Sequence, residues 1–203
     1  GAGASGTVNI RSAHSSPEGK SGGVSVSSGN ADGSRTGSVT LQSGSSSSDA
    51  AGNVRLVAGD SGDGQGGSIA LKSGKSLSSN STGGSIDIKS GASAKGASGS
   101  ITVATTDGGE IGGSGSIDIG SGKARIGTTG DVLIKTGDAS SGKSGSVMLR
   151  SGNSASSDGG EIAISAGNSA QGRGGDVVVA AGEGESGGGV LIQAGRSSGS
   201  DVE

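Results

Sequence analysis

The side chains able to do chemistry are few and scattered. The single histidine, His14, stands beside Ser15 and Ser16. A serine nucleophile would also need an acid to orient that imidazole and an oxyanion hole, so His14 reads as an exposed loop residue. The run Asp60-Ser61-Gly62-Asp63-Gly64-Gln65-Gly66-Gly67 has the Gly/Asp alternation of calcium-binding repeats, but those need the motif in consecutive turns and here it occurs once. Asn80-Ser81-Thr82 is an acceptor pattern for N-glycosylation. Asp87 and Asp118 hold equivalent positions two repeats apart, as paired carboxylates would, with no cleft around them to suggest more than solvated surface. The chain has no cysteine, which removes disulfides, thiolate metal sites and cysteine nucleophiles. No catalytic residue, metal site or cofactor is expected, and the chain reads as non-enzymatic.

Composition points the same way. Of 203 residues, 48 are Gly and 44 are Ser, while Phe, Tyr and Trp are absent. Ile, Leu and Val together number 34, less than the roughly one fifth that usually supports a globular core. The net charge of -3 is small, whereas disorder normally couples low hydrophobicity to high net charge. Lys+Arg (15) and Asp+Glu (18) are interspersed. Without a basic patch or an aromatic stacking platform, nucleic-acid binding is not expected. No apolar run approaches the 18 residues of a membrane-spanning helix.

The aliphatics are strictly placed. Thirteen segments read Gly-x-Φ-x-Φ-x-small, with Φ always Val, Ile or Leu. The first Φ falls at Val8, Val24, Val39, Val54, Ile69, Ile86, Ile101, Ile117, Val132, Val147, Ile162, Val177 and Val190, at spacings of 13 to 17 and most often 15. The two Φ columns hold 26 of the 34 aliphatics. A two-residue separation puts both Φ on one face of an extended chain, and β-branched residues suit a pleated surface. A Gly precedes the first Φ by two residues in all thirteen repeats and follows the second by three in eleven, Ala13 and Thr106 being the exceptions. Arcs rich in Ser, Gly, Ala, Asn and Asp connect the segments.

One short strand per repeat predicts an all-β parallel solenoid across residues 1–203, a single repeat domain. Its core ladder is Val8, Ile10, Val39, Leu41, Ile86, Ile88, Ile117, Ile119, Val147, Leu149, Val177 and Val179 with their equivalents, stacked at about 4.8 Å. Either each 15-residue repeat is a whole turn, or two repeats form a 30-residue turn with two sheets facing at about 10 Å; the second gives the drier core and is preferred. Gly6–Ser12 already reads as a strand and the last repeat lies close to Glu203, with no cap expected at either end; open strand edges of this kind invite end-to-end pairing or mark the chain as one section of a longer rod.

The residue between the two Φ points outward. It is mostly polar in the first eight repeats, then Leu133, Met148, Ala163, Val178 and Leu191. Five apolar outward residues in succession predict an exposed stripe along one sheet, or two stripes on opposite sheets if the turn has 30 residues, and such patches mark association surfaces. The column holds Asp, Arg, Leu and Met rather than repeated Thr, which argues against an ice-binding lattice.

The units GGSIDIKSG, GSVTLQSG and GGDVVVAAG resemble the Gly/Ser-rich GxVxVxAG repeat arrays of diatoms and other algae, over essentially the whole chain. That resemblance implies a secreted or surface structural protein and carries over no catalytic residue. The expected function is a non-enzymatic extracellular rod that assembles with itself, end to end or laterally, into a filament or surface fibre. The alternatives are a module binding glycans or surfaces, and then an ice-binding protein.

Overall fold

The computed structural model describes Gly3 and residues 5–197. The chain divides into two units, Gly1–Thr102 and Val103–Glu203, with the division inside the seventh repeat. Among the described residues neither unit contains a helix or a strand. The fold is therefore not the expected parallel β-solenoid but irregular coil. The sequence period survives in it all the same.

Each Φ-x-Φ segment runs without turn or bend, and every arc bends once near its middle. In the first unit the bends lie at residues 17–19, 32–34, 47–49, 62–64, 78–80 and 94–96. In the second they lie at 110–111, 125–127, 140–142, 155–157, 170–172 and 184–186. In six of the ten arcs with a glycine at each end, those glycines close the arc. The backbone N–H of Gly67 donates to the carbonyl of Gly59, that of Gly84 to Gly74 and that of Gly99 to Gly91, each at 2.9 Å. In the second unit Gly160 donates to Gly152 at 3.2 Å, Gly175 to Gly167 at 2.9 Å and Gly188 to Gly182 at 3.0 Å. These arcs have the adjacent ends and compact length of Ω-loops. The two arcs without a trailing glycine tighten internally instead: Gly19 donates to Ser16 at 2.9 Å and Gly112 to Gly109 at 3.3 Å.

Loop closure competes with the solenoid in the six arcs that have it. A solenoid arc must span from one stacked strand to the next, leaving the segment backbone to pair between repeats. Here six arcs each turn a backbone donor and acceptor onto themselves, and the Ser-to-backbone bonds in the arcs compete with regular structure in the same way. Among the described residues no backbone hydrogen bond joins one segment to another.

The expected core is correspondingly open. No described residue is buried, and Val8 and Ile10, placed in the first strand of the ladder, are 85% and 79% exposed. The chain presents 20631 Å² to solvent, whereas a compact protein of its mass would present about 8,000 Å² and an unfolded one about 27,000 Å².

Candidate functional site

Close packing recurs at the arc necks. The small residue two positions after the second Φ lies against the leading glycine of the next repeat. A methyl placed on Gly67 would sit 3.1 Å from the Cβ of Ala58, and one on Gly160 would sit 3.1 Å from that of Ser151. The same neighbour recurs in every arc except the one ending at Gly130. This is the structural reason for the small column: a larger residue there would force the neck apart. Ser12, Ser43, Ala58, Ser73, Ser151 and Ala166, all from this column, are among the few half-buried residues of the chain.

Seven of the twelve arcs turn by one of two devices. In five of them a Ser stands two residues past the trailing glycine, and its hydroxyl accepts the N–H three residues on. Ser61 accepts from Gly64 at 2.9 Å, Ser93 from Gly96 at 2.9 Å and Ser169 from Gly172 at 2.8 Å, and Ser46 and Ser154 do the same at 3.1 and 3.0 Å. At Ala124 and Ala139 that hydroxyl is missing, and the residue three on is a glycine in the left-handed region: Gly127 at φ 93° and Gly142 at φ 95°. A hydroxyl that caps the turn and a backbone free to adopt positive φ thus serve the same bend. Sequence reasoning missed this pairing, although the Ser-to-glycine spacing was there to find it.

Between the necks the segments keep the alternation of an extended chain. Lys89 donates from Nζ to Oδ2 of Asp87 at 2.7 Å, which places two residues separated by Ile88 on one side. Both side chains are largely exposed, so the pair adds little stability. From the second repeat onward the first Φ column is 48–58% exposed. Leu133, Met148, Val178 and Leu191 of the outward stripe are 74–85% exposed, and Ala163 is exposed with them. In these five repeats three consecutive residues are apolar, as in Val132-Leu133-Ile134, so both faces of the segment are apolar. No backbone group between the two flanking glycines of a described segment is hydrogen-bonded. The site offered by the chain is this set of open, apolar-faced segments with free N–H and C=O groups.

The other candidate residues remain apart. His14 lines a shallow groove with Arg11, Ser12, Ala13 and Ser21, a lining without a carboxylate. The Asp60–Gly67 run is one of the closed, Ser-capped arcs, and no group of three or more potential metal ligands gathers among the described residues. Asp87 pairs with Lys89 rather than Asp118. Asn80 is exposed at the bend of the longest arc, its N–H donating to Ser78 Oγ at 3.3 Å. No helix among the described residues is long and apolar enough to cross a membrane.

Comparison of the chain with protein-family models, curated proteins and solved structures gives no match.

Proposed function

We propose that this chain is a non-enzymatic structural protein of the extracellular space or cell surface, which associates laterally with copies of itself into a filament or surface fibre. One observation carries the reading: every large aliphatic side chain among the described residues is about half exposed or more, along segments whose backbone donors and acceptors are unpaired. An extended segment of this kind is a template for pairing with another extended chain. Thirteen near-equivalent copies make the template self-complementary over its length. Association buries the Φ columns and pairs the backbone in one step, and it does not require the single chain to be a rod. The resemblance to Gly/Ser-rich algal arrays and the exposed Asn80 acceptor fit a secreted or surface setting.

Sedimentation and electron microscopy of the purified chain across a range of concentrations test the proposal. Large laterally associated particles that grow with concentration are expected. A chain that stays monomeric at the highest concentration, with no fibres, overturns it.

A further inference from the structure

The charges on the outward face are sorted by position. Each segment presents three outward residues: one before the first Φ, one between the two, and one after the second. Across the thirteen repeats the first of these is acidic at Asp131, Glu161 and Asp176 and never basic. The last is basic in five repeats, among them Lys89, Lys135 and Arg150, and never acidic. The ninth repeat alone carries both ends of the pattern around an apolar centre, as Asp131-Val132-Leu133-Ile134-Lys135.

The structure shows which of these charges are already matched. Asp176 is held by Arg173, whose Nη2 donates to both carboxylate oxygens at 2.7 and 2.8 Å, and Lys89 is held by Asp87 at 2.7 Å. Asp131 and Lys135 are exposed and belong to neither pair. Four residues apart on an extended chain they stand roughly 13 Å from each other, too far to neutralise one another. Leu133 between them is 74% exposed.

We infer that the ninth repeat is an antiparallel self-docking segment, seated against the same segment of a second copy of this chain. The inference rests on the lateral-assembly reading above and fixes its orientation. In the antiparallel register centred on Leu133, Asp131 of each copy faces Lys135 of the other, and the two Leu133 side chains meet. In the parallel register Asp131 faces Asp131 and Lys135 faces Lys135, and like charges directly opposite are destabilising. The antiparallel interface is isologous, with a twofold axis through the Leu133 pair.

Charge exchange tests this. Asp131→Lys and Lys135→Asp are each expected to raise the concentration needed for assembly about tenfold, and the double variant is expected to restore it. Tagged wild-type chain is then mixed with untagged chain and captured. Antiparallel docking predicts that wild type captures wild type but largely excludes the double variant, because wild-type Asp131 then faces the carboxylate introduced by Lys135→Asp. Equal capture of both, preferential capture of the double variant, or single variants that assemble like wild type overturn the antiparallel inference while leaving lateral assembly standing. A wild-type chain that does not assemble at all overturns both.

Discussion

Gly67 donates its backbone N–H to the carbonyl of Gly59 at 2.9 Å, and the same glycine lies against Ala58 so closely that an added methyl would stand 3.1 Å from the Ala58 Cβ and 3.2 Å from the Gly59 nitrogen. The two contacts fasten one arc neck. Both depend on the absence of a side chain at Gly67, which makes the regular spacing of the repeat a packing requirement as well as a bending one.

Replacing Gly67 by Val should therefore open the neck. The bulk would displace Ala58 and Gly59, and the freed N–H at position 67 would exchange with solvent about fivefold faster or more, corresponding to a loss of about 1 kcal/mol. Gly44→Val is the comparison, since nothing lies within 4 Å of that position. Equal amide exchange in the two variants, measured by nuclear magnetic resonance, would show that the neck contact contributes nothing.

Removing a capping hydroxyl should act locally. Ser169→Ala deletes the acceptor that holds the Gly172 N–H at 2.8 Å. A net hydrogen bond contributes about 1 kcal/mol, so Gly172 exchange should rise about fivefold, with the Gly175 to Gly167 bond retained. Ser169→Thr keeps the hydroxyl and should keep the protection. A Thr variant as unprotected as the Ala variant would contradict the capping role.

The second turning device has its own signature. Gly142 sits at φ 95° with open space around it, so Gly142→Ala meets no clash and tests backbone conformation alone. A non-glycine residue in this region costs about 1–3 kcal/mol, and the backbone chemical shifts of the arc around residues 140–142 should move. Gly120→Ala, also in open space and without positive φ, should leave its surroundings unchanged. Indistinguishable shifts in both variants would remove the argument for glycine at 142.

The repeat period was the most legible part of the sequence, whereas the necks and the Ser-capped turns were not read from it. The Φ columns, the flanking glycines and the arcs fall where the period puts them, and each arc bends once. The solenoid was not legible, because the same glycine that would form a solenoid corner also suits a closed loop. Which of the two forms depends on whether segment backbones pair with one another, and Gly-x-Φ-x-Φ-x-small is common to both outcomes. Gly67 and Gly59 spend one donor and one acceptor on the loop, and Ser61 holds the Gly64 N–H inside it. The outward column follows from alternation along an extended chain, which places Leu133 and Met148 opposite the Φ residues; its exposure is shared by every large aliphatic among the described residues and does not single it out as a stripe.

That column supports the prediction bearing most directly on function. Leu133 and Val178 are 74% and 82% exposed, and each is flanked by aliphatics on both sides, so an associating copy would cover both faces of these segments. Burying an aliphatic side chain of this size is worth about 1.5–3 kcal/mol. Losing two of them, and placing a carboxylate at each position, should raise the concentration needed for assembly at least about a hundredfold. The variant carrying Leu133→Asp and Val178→Asp is therefore expected to remain dispersed where wild type associates, as read by sedimentation. Thr40→Asp with Thr102→Asp places the same two charges at the equivalent outward position of polar-faced repeats, which controls for net charge. If the two double variants assemble alike, the apolar stripe is not the interface, and association must run through the Φ columns on the other face.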